Sequence, residues 1–140
     1  MRFASLILLA AIGCPQPTPQ PPVVVVPPPT NTIADQLIKI HNDNRSEPLT
    51  ENYKLTTAAQ KHADWMAKNQ RMSHTGEGRS KPGSRIKAAG YSWSTYGENV
   101  AYGQSTPAEV MRVWLNSPGH RRNIKSTAYN EIGIGRAVSS

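Results

Sequence analysis

Three residues in separate irregular segments hold what chemistry this sequence offers: His74 in Met72-Ser73-His74-Thr75, His120 in Ser117-Pro118-Gly119-His120, and Glu98 between Gly97 and Asn99. Two histidines and a carboxylate from three loops suit an open zinc site. His74 and His120 would be the ligands there, with Glu98 as a further ligand or an outer partner. They suit an acid–base constellation equally well. Spacing alone does not choose. No HExxH, CxxC or nucleophile elbow accompanies them, no Ser is marked by its context, and the single Cys is Cys14. If there is catalysis, its candidates reduce to His74, Glu98 and His120. The other titratable groups have structural accounts. Glu109 serves as the third residue of a capping box. His62, close to Asp64 and Trp65, suits a surface or packing role, and His41 sits near a helix end whose dipole favours a partly charged ring.

The elements that must position these side chains can be read in outline. Thr32 opens a helical pattern with Ile33, Leu37, Ile38 and Ile40 on one side, fading near Glu47-Pro48. Thr57-Ala58-Ala59-Gln60 reads as a capping box that starts a second helix running to about Arg71, with Ala59, Ala63, Met66 and Ala67 as its buried stripe. Arg85 to Ala89 makes a short helix stopped by Gly90, and Tyr91 to Gly103 is extended or looped. Thr106-Pro107-Ala108-Glu109 is the sharpest helix start, and Val110, Val113 and Trp114 then face the core. Ser117-Pro118-Gly119 breaks that helix and opens another short turn around His120 to Ile124. Ile132, Ile134 and Val138 alternate as a half-buried strand, with Gly133 and Gly135 on its other face. The expectation is a helix-rich α+β domain with a small sheet and no internal repeat.

The N-terminal part is of a different kind. Arg2, the apolar run Phe3 to Ile12 and then Gly13-Cys14 read as a secretory signal over residues 1–13, too short for a stable membrane span. Ala11-Ile12-Gly13-Cys14 resembles the lipobox of bacterial lipoproteins, which implies lipidation of Cys14 and a membrane anchor. Eight of the twelve prolines fall between Pro15 and Pro29, so residues 14–31 read as a semi-rigid tether. Residues 32–140 are then the one domain, large enough to fold without disulfides. With 16 Lys+Arg against 9 Asp+Glu the chain is basic, and the clusters Arg79-Lys81-Arg85-Lys87 and Arg121-Arg122-Lys125 would attract anionic surfaces. Aromatic residues do not interleave the basic runs, so nucleic acid is not an expected partner.

Taken together, these blocks resemble the CAP superfamily (cysteine-rich secretory proteins, antigen 5 and pathogenesis-related proteins) and its bacterial SCP-like members. The resemblance rests on His41-Asn42-x-x-Arg45, the run Leu55 to Ala67, Met72-Ser73-His74 and Arg85-Ile86-x-x-Ala89-Gly90-Tyr91. It continues through Gly97-Glu98-Asn99-Val100-Ala101, Trp114 to Ile124, and Glu131-Ile132-Gly133-Ile134-Gly135, in the family's order. It implies a three-layer α-β-α sandwich around a small antiparallel sheet, with an open cleft. A family tetrad of two His and two Glu can bind zinc or another divalent ion, and it maps onto His74, His120 and Glu98. The place of the second Glu reads Asn116-Ser117, so a carboxylate is missing; Asn99, Asn116 and Ser117 become supports of the cleft. After Val138 the family's closing aromatic strand is absent, so the sheet is expected to lack its usual last strand.

Three functions follow. The first is a non-enzymatic binding or interaction module, secreted or lipid-anchored, whose cleft holds a divalent metal or a small apolar ligand or engages an envelope component. The second is a zinc-dependent, protease-like hydrolase using His74 and His120. The third is a basic module on anionic envelope surfaces. The missing second Glu and the absence of a separate base favour the first.

Overall fold

The computed structural model describes residues 4–13 and 32–139. Cys14 and the proline-rich stretch to residue 31 lie outside the described residues, so the lipidation and tether expectations are not addressed by the fold. The elements in chain order are β1 (Ala4–Gly13), α1 (Ile33–Asp43), β2 (Thr50–Glu51), α2 (Tyr53–Lys68), a 3-10 turn (Glu77–Arg79) and α3 (Pro82–Ala88). They continue with β3 (Trp93–Tyr102), α4 (Pro107–Asn116), α5 (Pro118–Lys125) and β4 (Glu131–Val138).

Local chemistry accounts for most of these boundaries. Thr32 caps α1 and exchanges hydrogen bonds with Asp35, a complete capping box. Thr106 does the same with Glu109 at the start of α4, with Pro107 in its first turn, as the sequence indicated. The second helix starts earlier than the Thr57–Gln60 pattern suggests. Its cap is Asn52, whose side chain accepts from the Lys54 amide at 2.9 Å, whereas the Thr57 hydroxyl donates to the Tyr53 carbonyl from inside the helix. Gly90 follows the short α3 at φ +81°, a conformation glycine adopts without strain.

The sheet has the order β2-β4-β1-β3. β1 runs antiparallel to both of its neighbours, from Ser5 opposite Tyr102 to Gly13 opposite Trp93 on β3, and from Ala4 opposite Val138 to Ala11 opposite Glu131 on β4. The run read from the sequence as an apolar leader is therefore, in the fold, the strand that joins the two sides of the sheet. Apolar residues at consecutive positions are what a strand covered on both faces requires, and they are equally what a leader requires, so composition does not separate the two.

Helices cover both faces, which gives the α-β-α sandwich. On one face Leu37 of α1 packs with Val110, Met111 and Trp114 of α4, Ile124 of α5, and Ile132 and Ile134 of β4. On the other, Leu55, Ala58, Ala59, Ala63 and Met66 of α2 pack with Ile86 of α3 and with Ala11 and Val100 of the sheet. The expectation of a half-buried β4 needs correction. Gly133 and Gly135 face α2 at backbone contact: a Cβ on Gly135 would stand 2.3 Å from the Ala59 carbonyl carbon. The strand is buried on both faces over Ile132 to Gly135, and the glycines are the contact itself. Among the described residues no helix is long and apolar enough to cross a membrane.

Candidate functional site

Glu98 is the centre of the site. It lies on β3 with its side chain only 2% exposed, and both carboxylate oxygens are occupied. Arg85 Nη2, from α3, donates to Oε2 at 2.6 Å, and His74 Nδ1 lies 2.7 Å from Oε1. A carboxylate only accepts, so the bond to His74 places a proton on Nδ1 and leaves Nε2 as the ring nitrogen that Glu98 does not engage. Burying the carboxylate is tolerable because a guanidinium pairs with it.

The loop that presents His74 is held from beneath. His62 on α2 donates from Nε2 to the Ser73 carbonyl at 2.7 Å, and Arg85 Nη1 donates to the His74 and Ser80 carbonyls at 3.1 and 2.9 Å. Arg85 thus binds Glu98 and the backbone of the loop that carries Glu98's other partner. The His62 ring stacks on Trp65 at 5.6 Å, and burial is the main reason its pKa is lowered, with the positive charge of Arg85 next. Gly76 passes so close that a Cβ there would meet His62 Nδ1 at 2.7 Å.

His120 enters from the first turn of α5. Asn123 one turn on donates to the Glu98 carbonyl at 3.2 Å and to Asn99 Oδ1 at 2.8 Å, and Asn99 donates to the His120 carbonyl at 3.2 Å. The His120 ring tilts against Trp114 at 6.5 Å, and its buried Nδ1 has no hydrogen-bond partner among the described residues. Burial lowers its pKa, and the nearby His74 lowers it further. The fold therefore brings His74, Glu98, Asn99 and His120 into one neighbourhood. Asn116 is exposed at the end of α4, and Ser117 contributes backbone to the α4–α5 junction, where its carbonyl accepts from the Arg121 amide at 2.8 Å.

These contacts limit the chemistry. Each Glu98 oxygen accepts one hydrogen bond, from His74 and from Arg85, so the carboxylate is oriented by these two partners. Among the described residues no three His, Cys, Asp or Glu side chains are grouped so as to hold a metal ion. The donor set does not fit a zinc cage. What it makes is a fixed imidazole on a buried ion pair.

Sequence reasoning missed two members of this site, Arg85 and His62. In the sequence Arg85 belongs to a basic cluster and His62 suits a surface or packing role, because their partners are 13 and 11 residues distant. The opening motif is structural. Asn42 exchanges two hydrogen bonds with Leu49, and Arg45 donates to the carbonyls of Ile124, Ser126 and Tyr129, which ties α1 to the segment after α5. His41, expected to be partly charged at the helix end, is fully buried instead; burial, then the adjacent Arg45, lowers its pKa to about 4.

Beside the ion pair lies a cavity of about 230 Å³ between α2 and α3. Ala58, Trp65, Ala88 and Ala89 form its apolar wall, and Lys61, His62, Glu77, Ser80 and Arg85 its polar side.

A sandwich of this topology with this set of blocks defines a CAP domain. Residues 40–140 match the cysteine-rich secretory protein family, CAP, and the chain belongs to that family. It is similar to the uncharacterized protein YkwD of Bacillus subtilis (strain 168), 32% identical over 108 residues, covering 74% of this chain and 42% of the relative. The uncharacterized membrane protein YlbC of the same organism is 28% identical over 74 residues, covering 53% of this chain and 21% of its own length. A crystal structure of an extracellular protein containing a SCP domain, from Bacillus anthracis str. Ames, superposes with a TM-score of 0.64 at 21% identity, over 77% of this chain and 40% of that one. The chain thus spans less than half the length of these relatives.

Proposed function

We propose that this CAP domain is a non-enzymatic binding module whose ligand is a small apolar molecule, taken up in the cavity between α2 and α3. The observation that carries the reading is the contrast between two neighbouring places. At the His74–Glu98–His120 site Arg85 and His74 each hold one Glu98 oxygen, and among the described residues no three metal-ligating side chains are grouped together. The adjoining cavity has an apolar wall of alanines and the Trp65 ring, faced by Lys61, His62, Glu77, Ser80 and Arg85, the mix of apolar surface and orienting polar groups that ligand pockets generally have. Export and anchoring through Cys14 belong to the same proposal, on the apolar run that ends at Gly13-Cys14.

The test is titration of the full chain with 1-octanol, followed by tryptophan emission. Saturable change is expected, because Trp65 lines the cavity. Ala88→Phe puts a ring at the exposed rim and should weaken binding at least about tenfold, which corresponds to about 1.4 kcal/mol. Octanol response that is unsaturable, or that is unchanged in Ala88→Phe, would remove the cavity as the ligand site.

A further inference from the structure

The two halves of the sheet do not touch each other. β3 and β4 are each paired to β1 and not to one another, so they stand two strand spacings apart, about 9.6 Å. That is far beyond hydrogen-bond reach. Each therefore presents a row of backbone N–H and C=O groups inward, between a helix layer above and another below. Buried backbone groups left unpaired are strongly unfavourable, so this gap has to contain a strand. The occupant in this chain is Ala-Ser-Leu-Ile-Leu-Leu-Ala-Ala-Ile-Gly, ten residues without a charge or a proline. Ala11, near its end, is fully buried in the same core as Leu55, Ala58 and Val100.

We propose that β3 and β4 form a strand-acceptor slot, filled by Ala4–Gly13 of the same chain, and that the domain is complete only while the slot holds a strand. The slot belongs to the scaffold and stands apart from the cavity and its ligand. Lipidation of Cys14 by the leader route would release residues 1–13 and with them β1. The slot left open would then take a replacement of the same chemistry: an uncharged, proline-free segment of eight to ten residues, antiparallel to both neighbours.

Three proteins test this: residues 1–140, residues 14–140, and the full chain carrying Leu8→Pro. Leu8 is paired to Asn99 on one side and Ile134 on the other, and proline removes the amide from the ladder whichever side it serves. Thermal melting is followed by circular dichroism, and amide exchange is read at Asn99 and Gly135, which face β1 from its two neighbours. The full chain should melt in one transition with both amides protected. Residues 14–140 and Leu8→Pro should lose the transition, or melt at least about 10 °C lower, with rapid exchange at both amides. A synthetic peptide of residues 4–13, carrying terminal lysines for solubility, should restore the midpoint of residues 14–140. Melting of residues 14–140 that matches the full chain overturns the proposal, and so does a loss that the peptide fails to reverse.

Discussion

Glu98 and Arg85 are worth more to this protein as a pair than either is alone. Their side chains are 2% and 10% exposed, so removing one partner strands the other's charge in a poorly hydrated place. Glu98→Gln should therefore lower the free energy of unfolding by about 3–5 kcal/mol, measured by urea titration. In the double variant Arg85→Met, Glu98→Gln no charge is left unpaired, and part of that loss should return. His74→Ala should cost under about 1 kcal/mol, because the ring is more than half exposed and its bond to Glu98 is open to water. If Glu98→Gln were no more costly than His74→Ala, the buried ion pair would not be what supports the site. At this scale the sequence was informative about three residues and silent about two. His74, Glu98 and His120 stood out by type and setting. Arg85 and His62 hold them in place through contacts that only folding creates, and no local pattern encodes such contacts.

Elements were legible where their signals are local. The boxes at Thr32 and Thr106 are completed by residues three positions on, and both helices begin where those residues indicate. The start of α2 differs from the pattern at Thr57 and Gln60 because these residues satisfy it from within a helix already begun at Tyr53. Gln60 is in fact turned to the sheet, donating to the Arg136 carbonyl and accepting from its amide. The glycines of β4 show the same limit. Alternation placed Gly133 and Gly135 on one face, yet nothing local says that this face meets the backbone of α2. A Cβ at Gly133 would lie 2.2 Å from the Leu55 carbonyl carbon and the Thr56 amide nitrogen, and backbone cannot turn aside as a side chain can. Gly135→Ala should accordingly destabilise the domain by at least about 3 kcal/mol, since relief requires α2 to move off the sheet. Gly119→Ala is the matched control, for its nearest neighbour is the Arg122 guanidinium at 3.8 Å. Chemical unfolding of the two variants should separate them clearly; equal effects would mean that α2 is not in backbone contact with β4.

Across the whole molecule, the three histidines held below their ordinary pKa sit in different places: His41 in α1, His62 in α2 and His120 in α5, on both sides of the sheet. Burial is the largest cause for each. A histidine whose folded pKa is depressed binds its proton more readily in the unfolded chain, so acid favours unfolding. The stability tied to such a group is complete above the unfolded value of 6.5 and is lost as pH falls toward the folded value, which for His41 is about 4. His41 alone can account for about 3 kcal/mol across that window. Ordinary carboxylates titrate near pH 4, so the interval from about pH 6.5 to 5 belongs mainly to the histidines. The melting midpoint should fall steadily through that interval. His41→Leu keeps the site apolar and removes the largest resolved contribution, so its midpoint should fall less steeply than that of the parent chain. The measurement is a series of calorimetric melts between pH 7.5 and 4.5, read as a difference in slope. Equal slopes would mean that His41 is protonated in the fold as readily as out of it, against its complete burial beside Arg45. A shallower slope in the variant would tie the acid limit of the domain to the anchoring of α1, one full layer away from the cavity proposed to hold the ligand.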